Sequence, residues 1–205
     1  MFALVDKSDN SITRMYGGNR GITIGDNQYP KAIFSLWSES ERNAINIYRI
    51  EIDNTNFKDE EWYINTNISY AYDADDDKVK GTYGTATARA IADVLFTQAD
   101  EDAGRGTKDE LNYRGLKYLK KEIIDGQCAQ RLAPSDWRVI REQETGDAMD
   151  SGWKTWRGNV RTKCNSMQTA IDNAANIAAL QALFTYTEQE DKSITRPLGE
   201  FPIKE

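Results

Sequence analysis

Trp153-Lys154-Thr155-Trp156-Arg157-Gly158-Asn159-Val160-Arg161-Thr162-Lys163-Cys164, continued to Ala174, is the stretch whose reading decides the fold. Its Trp153, Trp156, Val160, Cys164, Met167, Ile171 and Ala174 are separated by 3, 4, 4, 3, 4 and 3 residues. Residues three and four apart stack on one face of an α-helix, so these seven positions form a single amphipathic stripe. Lys154, Arg157, Arg161 and Lys163 lie off it. An aromatic stripe at this spacing is more commonly core than binding groove, so the helix calls for neighbours.

Those neighbours are legible on both sides. Downstream, Asn176 caps a short helix over 177–184. Upstream, Ser135 or Asp136 caps a helix carrying Trp137 and Ile140, which Gly146 closes. Before it, Leu111, Leu116, Leu119, Ile123, Ile124 and Leu132 predict a helix from Thr107 to about Arg131. Thr107 with Glu110 offers a capping box and Pro134 supplies the stop. Residues 188–205 carry Pro197 and Pro202 without periodicity and read as an extended arm or a disordered end.

The first half has a different period. Phe2–Val5 and Ile12–Tyr16 flank the turn formers Asp6-Lys7-Ser8-Asp9-Asn10 and predict a hairpin. The glycine-rich 17–21 stretch and a short strand at Ile22-Thr23-Ile24 follow. That stretch lacks the Lys-Ser/Thr of a P-loop and the GxGxxG of a dinucleotide fold, so it reads as a loop using positive φ. Ser38 and Glu41 form a capping box for a helix ending near Ala44. Ile45 to Ile52 reads as a strand. Residues 61–95 read as a second hairpin, its tip at Asp73-Ala74-Asp75-Asp76-Asp77-Lys78. Asp73, Asp75 and Asp77 match three EF-hand ligand positions, but Lys78 replaces the glycine and Gly84 the final glutamate, so a solvated tip is expected.

Composition bounds the chemistry. Among 205 residues there is no histidine. That removes Ser-His-Asp and Cys-His nucleophiles and His-based zinc or iron sites. The two cysteines, Cys128 and Cys164, are far apart and make no ligand group; buried reduced thiols are expected, a disulfide being the lesser alternative. No metal or cofactor is implied. Carboxylate chemistry stays open in principle, with Glu60, Glu61, Asp73, Asp75 and Glu122 as candidates, yet nothing in the sequence sets two acids across a cleft. Lys120 and Lys121 read as surface charges.

Charge and targeting narrow the partners. Residues 1–102 carry 10 basic and 18 acidic side chains, and 103–205 carry 16 and 15. An acidic half repels phosphates and the balanced half has no basic patch, so nucleic acid is not an expected partner. The N-terminus has too few apolar residues for a signal peptide, and no stretch approaches the ~20 of a membrane span. Synthesis and retention in the cytosol are expected, unless the chain leaves within a larger particle.

Pro134-Ser135-Asp136-Trp137-Arg138-Val139-Ile140-Arg141-Glu142, then Glu144-Thr145-Gly146, then Trp153-Lys154-Thr155-Trp156-Arg157 with Val160-Arg161 and Cys164-Asn165, resembles a segment of bacteriophage tail proteins. There a Pro-x-x-Trp helix precedes a Trp-x-x-Tyr/Trp-Arg-x-x-Leu/Val-Arg helix, as in tail-fibre assembly proteins and proteins encoded near tail-fibre genes. The opening Met1-Phe2-Ala3-Leu4-Val5-Asp6 is similar to their N-terminal hairpin. The resemblance covers 107–185 and, loosely, the first half, leaving out 17–25 and 73–77. It implies association with tail or fibre proteins, as a virion part or as a chaperone, and marks Trp153, Trp156 and Arg157 as signature positions.

The expectation is therefore an α+β protein. A β-hairpin-rich module over 1–96 and a linker over 97–106 lead to a helical bundle over 107–185 and a tail over 186–205. The function expected is a non-enzymatic phage tail or tail-fibre-associated structural protein, found in the virion and made in the host cytoplasm. Its contacts would fall on Trp137, Trp153, Trp156 and Arg157, against tail or fibre proteins or a second copy of the chain. A tail-fibre assembly chaperone is the alternative, and a carboxylate glycan hydrolase a more remote one.

Overall fold

A computed structural model describes residues 1–204, which fall into two compact units, Met1–Thr87 and Ala88 onward. The architecture is α+β, with strands concentrated in the first unit and helices in the second.

The first unit is built on a five-stranded sheet. Its strands are β1 (Phe2–Asp6), β2 (Ser11–Tyr16), β5 (Ile47–Asp53), β7 (Ile68–Asp73) and β8 (Lys78–Tyr83). The order is β2-β1-β5-β8-β7; β5 and β8 run parallel and the other pairs antiparallel. Between β2 and β5 lie the small hairpin β3 (Ile22–Ile24) and β4 (Asn27–Tyr29), a 3-10 turn at Lys31–Phe34, and α1 (Glu39–Asn43). Ser38 and Glu41 form the expected capping box at α1.

Strand alternation sends side chains to two faces. Ala3 and Val5 join Tyr48, Ile50 and Val79 on one face, with Ile12, Tyr70 and Tyr72 packed against them. Phe2 and Leu4 point the other way, toward Ile22, Ile33, Ile47, Phe34 and Trp37. The register of β1 against β2 shifts between Leu4 and Val5, leaving Thr13 as the extra residue, its hydroxyl on the Leu4 carbonyl at 3.2 Å. Such a bulge bends and twists its strand. The sheet curls enough for its edge strands β2 and β7 to approach one another. The second hairpin is shorter than the sequence suggested, since its return strand ends at Tyr83 and Gly84 donates to Thr66 Oγ1 at 2.6 Å. A two-residue β6 (Tyr63–Ile64) precedes it.

The unit boundary falls at 87/88 rather than in the expected linker over 97–106, within the two-residue β9 (Thr87–Ala88). That linker holds α2 (Gln98–Asp102), capped by the Thr97–Asp100 box. The helix expected from Thr107 starts only at Leu116. Leu111 sits in β11 (Leu111–Tyr113), paired with β10 (Val94–Leu95). The reason is local: Phe96 and Glu110 join through backbone, and Asp93 takes the Gly115 N–H at 2.8 Å. The five-residue step from Leu111 to Leu116 was never helical spacing.

From there the helices are α3 (Leu116–Leu132), α4 (Asp136–Thr145), α5 (Ser151–Asn173) and α6 (Ile177–Phe184). α3 and α5 pack antiparallel: Lys117 Nζ reaches the Asp172 carbonyl at one end, and Arg157 the Leu132 carbonyl at the other. Ile124 and Cys128 of α3 are buried, as are Val160, Cys164, Met167 and Ile171 of the α5 stripe and Leu180 of α6. Asn176 caps α6, accepting from the Ala179 N–H. Lys120, expected at the surface, is buried with its ammonium over the Phe184 ring, while Lys121 pairs with Asp172 at 2.8 Å.

The tail is not the extended arm expected. Residues 187–195 form the hairpin β12 (Thr187–Glu188) and β13 (Ile194–Thr195). Beyond it Leu198 and Phe201 are buried, Lys163 donates to the Leu198 carbonyl at 2.9 Å, and the Leu198 N–H bonds the Leu183 carbonyl. Two apolar anchors alone are too few to make a period, so a periodicity reading misses them.

Candidate interaction site

The four residues singled out by sequence fall around the elbow between α3 and α4, in three different situations. Arg157, off the apolar stripe, is only 5 % exposed. Its Nη1 donates to the Leu132 carbonyl at 3.0 Å and to Ser135 Oγ at 2.5 Å, and its Nη2 to Asp136 Oδ1 at 2.7 Å. Ser135 is fully buried and donates in turn to the Leu132 carbonyl at 2.8 Å. A carbonyl left open at a helix end needs a donor, and here two side chains supply it. Arg157 is thus the pin of the elbow rather than a surface contact.

Trp153 and Trp156 meet edge to face, ring centroids 5.6 Å apart. Trp156 donates its indole N–H to the Pro202 carbonyl at 3.1 Å, so the chain's own tail occupies it. Lys204 lies over the Trp153 ring. Trp137 alone is half exposed, at 50 %, with Ile140 one turn on at 56 %. Helix α4 buries none of its residues.

Arg138 joins the tryptophans. Its guanidinium lies 4.5 Å from the Trp137 ring centroid and 4.6 Å from that of Trp153. It has no carboxylate partner among the described residues, and its Nε–H has no hydrogen-bond acceptor. A cation between two indole faces is held by their quadrupoles, which leave its charge unneutralised. Arg138 carries no signal of its own in the sequence, because the helix elbow that brings Trp137 and Trp153 to one cation is a tertiary feature.

The candidate acids each have a setting within their own unit. Asp73 pairs with Lys80 at 2.9 Å, and the hydrogen bond from Lys80 holds its carboxyl below the usual range. Glu122, in the other unit, accepts from Tyr118. Asp75 lies exposed in the 74–77 turn, and Glu60 and Glu61 are exposed beside Asp59. Among the described residues no group of three or more acids or cysteines is placed to hold a metal ion. The acidic tip has a different part in the fold. Asp77, in the left-handed region at φ 51°, accepts from Tyr72 at 2.5 Å, Tyr48 at 2.8 Å and Lys7 at 3.0 Å. Those three bonds, Tyr72 first, lower its carboxyl to about 2, while burial pushes the Tyr48 phenol up to about 12. Neither group titrates near neutrality, as a general acid or base should. The cluster clasps the β1–β2 turn to the β7–β8 turn.

Cys128 and Cys164 are buried free thiols facing one another across α3 and α5. Burial, reinforced by Cys128 and Asp125, pushes the Cys164 thiol up to about 12. Among the described residues no helix is long and apolar enough to cross a membrane. Comparison with protein-family models, with curated proteins and with solved structures finds no match.

Proposed function

We propose that this chain is a non-enzymatic component of a bacteriophage tail or tail fibre, working through protein–protein contacts and residing in the virion. The resemblance of 134–165 to phage tail segments supports this reading. The observation that carries it is the Arg138 guanidinium held between Trp137 and Trp153 without a carboxylate, beside exposed Trp137 and Ile140. Tryptophan and arginine dominate the energetics of protein interfaces. An apolar helix face set around an uncompensated cation fits a partner offering an apolar pocket rimmed by acids.

Alanine at Trp137 and Ile140 tests this without threatening the fold, since α4 buries neither. The double variant is expected to express and fold normally and to be lost from purified particles. Incorporation equal to that of the natural chain would refute α4 as the contact. Absence of the natural chain from particles, despite good expression in infected cells, would refute the structural role in favour of an assembly chaperone.

A further inference from the structure

The first unit contains a cleft of about 910 Å³ that the tail reading does not use. It lies between the outer end of β2, the glycine-rich loop and the β3–β4 hairpin. Its size falls within the ~300–1,000 Å³ of small-molecule sites and exceeds what a lone inorganic anion needs.

The walls are pre-shaped. Gly18 is left-handed at φ +79°, and a Cβ there would meet the Phe2 ring at 3.1 Å. Gly21 approaches the Tyr29 carbonyl so closely that a Cβ would stand 2.8 Å from it. Both positions require glycine, so the run that reads as a flexible loop is a fitted one. Tyr16 and Tyr29 are anchored from behind, against Phe34 at 6.1 Å and Trp37 at 6.0 Å between centroids.

The polarity is also specific. Residues 1–87 carry nine basic and fourteen acidic side chains, yet the cleft lining holds Arg14 and Arg20 and no acid. Both arginines are exposed, and neither has an ion-pair or hydrogen-bond partner among the described residues. Tyr16 borders the cleft, while its hydroxyl is buried away from solvent and has no partner. Asn19 and Gln28 add amides. Guanidinium groups match carboxylates in a planar fork, and phenols and amides match sugar hydroxyls. No deep apolar pocket of the kind that anchors a peptide is formed by these residues. A nucleic-acid strand would meet the acidic surplus of the unit.

We propose that this cleft binds an acidic saccharide, a short sugar chain bearing carboxylates. Arg14 and Arg20 take the carboxylates, and Tyr29, Asn19, Gln28 and the loop amides take the rings and hydroxyls. Binding, without cleavage, is what the lining supports, as it contains no acid to protonate a glycosidic oxygen.

Calorimetric titration of the full-length protein with tetragalacturonate tests the proposal, with maltotetraose as neutral counterpart and an oligothymidylate as the nucleic-acid probe. Saturable tetragalacturonate binding is expected, weaker at higher salt, with no binding of maltotetraose. Arg14→Gln and Arg20→Gln should each weaken it about tenfold or more. Lys78→Gln, the same charge change outside the cleft, should leave it unchanged. No binding of tetragalacturonate, equal binding of maltotetraose, preference for the oligothymidylate, or indifference to both arginine substitutions would each overturn the assignment. None of these outcomes depends on whether the chain is found in a virion.

Discussion

Replacing Arg157 by methionine keeps most of the apolar stem and removes the guanidinium that joins α5 to the α3–α4 elbow. Three bonds from a charged donor are lost, each worth ~1.5–3 kcal/mol in mutational series. Two effects reduce that sum. The cost of burying the cation, several kcal/mol, disappears with it. The Leu132 carbonyl also keeps the Ser135 hydroxyl at 2.8 Å, so no buried acceptor there is orphaned. The Asp136 side chain is 54 % exposed and returns to water at little cost, so its share is that of a surface pair, under ~1 kcal/mol. The net expectation is a loss of about 2 kcal/mol for Arg157→Met, about 1 kcal/mol for Ser135→Ala and less than that for Asp136→Asn. Urea titration followed by helical circular dichroism and tryptophan fluorescence reads these differences directly. Stability of Arg157→Met within about 0.5 kcal/mol of the natural chain would refute the pin. So would a larger loss for Asp136→Asn than for Arg157→Met, because the exposed ion pair would then outweigh the buried bonds.

Other expectations follow from the same geometry. Asp77, whose carboxyl is lowered to about 2 against about 3.9 in an unfolded chain, stabilises the first unit above pH ~4 and loses that contribution as pH falls toward ~2. Asp77→Asn should therefore be less stable at neutral pH and show a flatter acid unfolding curve over that window; parallel curves would contradict the clasp. With its thiol raised to about 12, Cys164 should resist alkylation in the folded protein at mildly alkaline pH and react readily in denaturant. Mass spectrometry of the alkylated peptide checks this. Leu198→Ala and Phe201→Ala should each cost roughly 2–5 kcal/mol, as buried large-to-small changes do. Neutrality in urea unfolding would return the tail to the status of a loose arm.

The division into a strand-rich first half and a helical second half was legible because each has its own hydrophobic period. The α5 stripe, the Ser38–Glu41 box and the Asn176 cap are local patterns that packing did not override. What was not legible depends on distance in sequence. Leu111 was drawn into a helix because it is a leucine near other leucines, while its strand partner Val94–Leu95 lies sixteen or more residues away. The docked tail rests on Leu198 and Phe201, too few to make a pattern. In the sequence Arg157 stands out only as a charged position off the stripe and as a signature position of the resemblance. Its burial, its bonds to Ser135 and the Leu132 carbonyl, and the stacking of Arg138 required the elbow. The cleft was hidden for another reason: glycines 18 and 21 look like flexibility in sequence and act as close fits in space.

The most direct measurement is quantitative mass spectrometry of purified phage particles carrying a photo-cross-linking residue at position 137. If α4 faces a tail protein, peptides of this chain will be present in a fixed ratio to tail subunits, and position 137 will cross-link to one of them. Particles free of the chain, or cross-links from position 137 only to unrelated host proteins, would contradict a structural role in the tail.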